Sequence, residues 1–153
     1  MVKNYQGARI EKAKTTVHQP VSVEDYMTSK LVTFKPDDTI HDVIDVLLKK
    51  RISGGPVVDE KNHLIGIISE GDCLKEIVKG KYNNTPSLTG KVEEHMAKNV
   101  KTIAPETNVF EAARMFLDMK LRRFPVVKNG KLLGQISQKD VMRAVQNLKS
   151  TTW

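Results

Sequence analysis

Apolar positions in this chain follow two rhythms, one of helical period and one of short buried runs, and the whole succession occurs twice. Ile40, Val43, Ile44, Leu47 and Leu48 recur at i, i+3, i+4, i+7 and i+8, and Val109, Ala112, Ala113, Phe116 and Leu117 repeat that spacing. Both segments are predicted to be amphipathic helices. Thr39 with Asp42, and Asn108 with Glu111, place a capping oxygen before each helix and a carboxylate in its first turn, where backbone N–H groups lack partners. From Gly55 to Ile68 an apolar run, a polar break and a second apolar run predict a hairpin with largely buried strands. Asn129-Gly130 marks the corresponding turn, since both residues tolerate positive φ. A closing helix follows in each copy, with apolar positions Cys73, Leu74, Ile77 and Val78, then Val141, Met142, Val145 and Leu148.

The duplication extends to single residues. Tyr26-Met27 leads through Leu31, Val32 and Thr33 to Pro36, and His95-Met96 leads through Val100, Lys101 and Thr102 to Pro105. Pro56-Val57-Val58 is matched by Pro125-Val126-Val127, and Ser69-Glu70-Gly71-Asp72 by Ser137-Gln138-Lys139-Asp140. Each copy therefore reads β-α-β-β-α, an α+β unit. A unit of about 60 residues buries only a modest fraction of its surface, so two copies are expected to pack on one another. The expected layout is a tail over 1–20, one repeat over 21–78, a linker loop over 79–91, a second repeat over 92–148 and a short tail over 149–153. Gly80, Asn83, Asn84, Pro86, Ser87 and Gly90 give the linker its loop composition.

Composition narrows the class without choosing a function. Apolar residues make up 39% and charged residues 28% of the 153, which excludes a disordered chain and one built of membrane spans. The basic residues before position 15 are not followed by an apolar run, so neither a signal peptide nor a spanning helix is read there. One cysteine, Cys73, rules out an internal disulfide framework and suits a reducing cytoplasm. The formal charge of +7 raises the question of nucleic acid, but no basic run of five or more occurs, and a phosphate-bearing small ligand accounts for the excess as well.

In the order and repetition of these motifs, residues 21–148 resemble a tandem pair of cystathionine-β-synthase (CBS) domains, a Bateman module. The resemblance implies two repeats packed sheet to sheet with pseudo-two-fold symmetry. It implies clefts between the sheets for AMP, ADP, ATP or S-adenosylmethionine as a regulatory ligand, with no cofactor required. Carried over by position, Asp72 and Asp140 accept hydrogen bonds from ribose hydroxyls, and Ser69 and Ser137 face ribose or phosphate. A helix N-terminus preceded by a hydroxyl suits an anion, although Ser-x-x-Asp is equally a capping pattern. Further contacts are expected from Met27, Lys30 and Val32 with Ile52, Ser53 and Gly54, and from Met96, Asn99 and Lys101 with Leu121, Arg122 and Arg123. The two arginines stand where the first copy has Ser53 and Gly54, and guanidinium groups suit phosphate. Phe124 in place of Gly55, Lys128 in place of Asp59 and Gln135 in place of Ile67 are expected to alter or fill one cleft.

No catalytic constellation accompanies these features. The four histidines lack metal-ligand spacing, and GxSxG, GxxxxGK[ST] and strand-linked GxGxxG are absent. Cys73 takes the helix position of Val141 and reads as a small core residue. The expected function is a non-catalytic, ligand-responsive regulator, commonly a homodimer in the resembling family, that acts on a separate effector. A basic nucleic-acid-associated protein and a dimerisation module with empty clefts are the alternatives.

Overall fold

The computed structural model describes residues 21–82 and 88–152. In chain order these form a 3-10 turn Val23–Asp25, helix α1 (Ile40–Lys50), strands β1 (Gly54–Val58) and β2 (Leu64–Ser69), and helix α2 (Glu70–Tyr82). The second half repeats this with α3 (Val92–His95), α4 (Val109–Met119), β3 (Arg123–Lys128), β4 (Lys131–Ser137) and α5 (Gln138–Thr152). Local chemistry sets most boundaries. Thr39 Oγ1 accepts from the N–H of Asp42 at 3.1 Å, and Asn108 Oδ1 from that of Glu111 at 2.9 Å. Each of these helices ends on a left-handed residue, Arg51 at φ 57° and Lys120 at φ 55°. The Asn129-Gly130 turn has φ 53° and 81°, the doubly positive geometry that a two-residue hairpin favours.

The closing helices outrun the expected boundaries. Helix α2 continues to Tyr82 across part of the expected linker, and α5 continues to Thr152 across most of the expected C-terminal tail. Apolar periodicity marks only the packed part of a helix, and the backbone ladder continues while no breaker intervenes. Residues 1–20, residues 83–87 of the linker and Trp153 lie outside the described residues.

Each hairpin, β1 with β2 and β3 with β4, is antiparallel. The expected first strand of each copy is reduced to a single parallel bridge, Phe34 beside Val57 and Ile103 beside Val126. Pro56 fits here, because its missing N–H faces an edge that offers only that one bridge.

The other edge of each hairpin is occupied by the opposite copy. Thr28 exchanges two 2.9 Å backbone bonds with Gln135, and Ala97 exchanges 2.8 and 2.9 Å bonds with Ile67. The lead-in segments have traded places. Val23 packs in the core of the second repeat with Val109, Phe116, Phe124 and Ile136, whereas Val92 packs in the first with Ile40, Val43, Val57 and Ile68. Backbone bonds reinforce both exchanges, Val23 N–H to Thr107 at 2.8 Å and Val92 N–H to Asp38 at 2.9 Å. The hairpin tips also join, Leu64 N–H donating to Gly130 and Leu132 N–H to Asn62, each at 3.0 Å.

Phe124 is fully buried against Phe116, their ring centroids 4.7 Å apart. It points into the core, so it does not fill a cleft as expected from its replacement of Gly55. Size is exchanged between neighbouring positions instead. The first repeat pairs Phe34 with Gly55, where an added Cβ would lie 3.0 Å from the Phe34 ring, and the second pairs Ile103 with Phe124. Several positions of the predicted helical stripes stay outside the core: Leu48, Leu74, Ile77 and Val78 in the first repeat, Leu117 and Met142 in the second.

Candidate functional site

Strand alternation separates two faces of each hairpin. Gly55 opposite Ile68 and Val57 opposite Gly66 form the core face, whereas Gly54 opposite Ser69 and Pro56 opposite Ile67 form the other. In the second repeat Arg123 opposite Ser137 and Pro125 opposite Gln135 take the equivalent places. These second faces oppose one another across a cleft of about 140 Å³, lined by Ser53, Gly54, Pro56, Ile67 and Ser69 of one repeat and by Arg123, Pro125 and Gln135 of the other. The floor is largely apolar and one cation stands at its rim. The floor residues were legible as the i±2 neighbours of Ser69 and Gly54, a signal that alternation carries.

The loop ahead of each hairpin closes on the start of the helix that follows it. Glu70 N–H donates to the Ser53 carbonyl at 2.9 Å and Gln138 N–H to that of Arg122 at 3.3 Å, while the Gln138 amide reaches the Leu121 carbonyl at 2.9 Å. Ser53 is thereby held beside Ser69 and Asp72, and Leu121 and Arg122 beside Ser137 and Asp140. Glycine is required at 54, because a Cβ there would press on the Ile68 carbonyl oxygen.

Both carboxylates perform the capping role. Asp72 Oδ2 accepts from the Ser69 N–H at 2.9 Å and from its hydroxyl at 3.0 Å. Asp140 Oδ2 accepts from the Ser137 N–H at 2.8 Å, and the Ser137 hydroxyl accepts from the Asp140 N–H at 3.2 Å. Asp140 is buried and also ion-paired to Arg143, whereas Asp72 is half-buried. Capping leaves room for ligand binding where a carboxylate oxygen stays open.

Other expected contacts are distributed differently. Met27 packs on the core face of β4, its sulfur 2.8 Å from where a Cβ on Gly134 would sit, and Met96 packs in the same way over Gly66 of β2. The lead-ins are exchanged, so each methionine fills space above a glycine of the other copy. Val32 and Ile52 pack against the first core, and Leu121 against the second. Lys30, Asn99, Lys101 and Arg122 are exposed. Lys128 and Asp59 stand at the far end of their hairpins, Lys128 bonded to Glu106 at 2.6 Å and Asp59 to His63, so their difference does not alter the cleft. Gln135 against Ile67 does alter it, since both line it.

Cys73 is buried beneath α1, and burial pushes its thiol above the ordinary 9.0, with the carboxylates of Asp72 and Glu70 adding to the shift. Sequence reasoning missed a buried polar cluster on the next turn of α2. Glu76 accepts from the Gly90 N–H at 3.2 Å and pairs with His95 Nε2 at 3.1 Å, tying the exchanged lead-in to the first repeat. No periodic pattern marks such a contact. Among the described residues no three His, Cys, Asp or Glu side chains group as metal ligands, and no helix is long and apolar enough to cross a membrane.

The family model for the CBS domain matches residues 23–79 and 92–147. The chloroplastic CBS domain-containing protein CBSX1 of Arabidopsis thaliana is 31% identical over 154 residues, covering 84% of this chain and 65% of its own length. The crystal structure of CBSX2 in complex with AMP superposes with a TM-score of 0.72 at 31% identity, covering 84% of this chain and 98% of that one. The CBS domain pair of protein MJ0100, crystallised with 5-methylthioadenosine and S-adenosyl-L-methionine, gives a TM-score of 0.65 at 25% identity, covering 84% of this chain and 98% of that one. The chain spans just under two thirds of the full length of the two plant relatives.

Proposed function

The chain belongs to the CBS domain family as a tandem pair, and from that premise we propose that it is a non-catalytic regulatory module that binds an adenosine-containing ligand between its repeats. The observation that carries this reading is the composition of the cleft. Ser69 and the adjoining Asp72 stand at the start of α2 on one side, and Arg123 of the opposite repeat stands on the other. Pro56, Ile67 and Pro125 offer apolar surface for adenine, and Asp72 carries an oxygen for ribose hydroxyls. The N-terminal end of α2 and the Arg123 guanidinium suit phosphate. AMP, ADP, ATP and S-adenosylmethionine all present the adenosyl part, and the crystallised relatives hold ligands of that kind.

Because the ligand touches both repeats, binding favours one relative arrangement of them over another. The exposed apolar residues of α1 and α2, continued by Leu117 and Met142 on α4 and α5, suit a homodimer through the helical layer. A change between repeats would then be felt at the dimer contact, and through it by a separate effector protein. A lone buried thiol is in keeping with a reducing, cytoplasmic setting.

The test is thermal unfolding of nucleotide-stripped protein with AMP, ADP, ATP and S-adenosylmethionine in turn, for the wild type and for Asp72→Ala and Arg123→Ala. A ligand at one hundred times its Kd adds about 2.7 kcal/mol of apparent stability. Asp72→Ala is expected to abolish the shift for every adenosyl ligand, and Arg123→Ala to weaken AMP and ATP more than adenosine. If no adenosyl ligand moves the wild-type midpoint, the reading is wrong.

A further inference from the structure

We infer that the two carboxylates are not equivalent sites, and that Arg143 is a built-in competitor that keeps Asp140 from ligand, so that the chain binds one adenosyl ligand, at Asp72. This rests on the reading above and assigns the site within it. Arg143 lies one helical turn after Asp140 on α5, on the same face, and its guanidinium is ion-paired with Asp140 Oδ1. Oδ2 is already taken by the Ser137 N–H. Both oxygens of Asp140 are therefore engaged, and the side chain is only 7% exposed.

In the first repeat the matching residue is Lys75, which is exposed and makes no ion pair with Asp72. Both bonds to Asp72 fall on Oδ2, leaving Oδ1 open, and the residue is half-buried rather than buried. Ser53, Gly54 and Ser69 of the first repeat line the cleft.

The competition has a definite sense. Both donors would meet the same carboxylate, so both bonds are charge-assisted, but the guanidinium brings a positive charge of its own whereas a ribose hydroxyl is neutral. A ligand reaching Asp140 would exchange the stronger partner for the weaker. Lysine does not reproduce the effect, because an ammonium on a flexible stem lacks the planar fork and is more strongly hydrated.

Isothermal titration of the full chain with AMP, and separately with ATP, decides the matter through stoichiometry. Wild type is expected to bind one ligand per chain, with any second event more than about tenfold weaker, a net difference of about 1.4 kcal/mol. Arg143→Lys makes the second repeat resemble the first and is expected to raise the number to two. Asp72→Ala should leave none, and Asp72→Ala with Arg143→Lys should leave one. The Arg143 side chain is 57% exposed, so the substitution leaves the core untouched, and Arg143→Gln provides a second, uncharged form. Two equal sites in wild type, or one site in both wild type and Arg143→Lys, would overturn the competitor while leaving the adenosyl reading standing. Absence of binding in every form removes both.

Discussion

Val92→Ala tests the exchange of lead-in segments directly. By sequence Val92 opens the second repeat, yet it is fully buried in the core of the first, and its N–H is bonded to Asp38. The substitution removes two methyl groups, about 1.6 kcal/mol of transfer free energy at about 0.8 kcal/mol each, before any cavity is counted. Ile40, whose N–H donates to Gly90 at 2.9 Å, lies in the same cluster, and Ile40→Val costs about 1 kcal/mol. Val109 is also fully buried but belongs to the other cluster, and Val109→Ala matches Val92→Ala in chemistry. Urea unfolding of the singles and of the two doubles, Val92→Ala with Ile40→Val and Val92→Ala with Val109→Ala, separates the cases. The first double should depart from additivity by more than about 0.5 kcal/mol, whereas the second should add within that margin. Coupling of Val92 to Val109 with additivity towards Ile40 would mean that each repeat keeps its own lead-in.

Three further outcomes follow from the charged and thiol groups. Asp59 is held below its ordinary 3.8 chiefly by the His63 N–H, with the Lys61 N–H and the His63 imidazole adding to it and partial burial opposing. A folded pKa below the unfolded one stabilises fully above the ordinary value and fades as pH falls through the depressed one. The stability difference between wild type and Asp59→Asn should therefore shrink below about pH 4, and a difference constant from pH 7 to pH 3 would contradict this. At the alkaline end Lys128 is raised above 10.5 by its hydrogen bond to Glu106. Its contribution is full below that value and is lost as pH rises through the raised one, so Lys128→Met should converge with wild type only in strong alkali. Cys73, buried and raised, should react with a thiol reagent at pH 8 many times more slowly in the native chain than in urea. Equal rates would show that the thiol is accessible.

The sequence by itself determined what depends on neighbours along the chain. Helical periodicity, the Thr39 and Asn108 caps, the Asn129-Gly130 turn and the doubling of the whole pattern are local, and each reappears in the structure. The repeat also identified the family, and the Ser69 and Ser137 caps were legible because a hydroxyl before a helix start and a carboxylate three residues on lie within four residues. What tertiary structure alone decided concerns partners distant in sequence. Periodicity says that Val23 and Val92 are apolar but not whose core they enter, because either repeat offers an apolar cavity and only chain geometry and the Thr28 and Ala97 bridges choose. The same limit left open which copy Met27 and Met96 would pack on and turned Phe124 from a cleft residue into a core residue, since Gly55 and Phe124 are compensated by Phe34 and Ile103 some twenty positions away. The helical stripe over-counted the core as well, because Leu48 and Leu117 satisfy its spacing yet stay exposed. Asp72 and Asp140 occupy the same motif position, and one ion pair, visible only once the side chains are placed, makes them different groups.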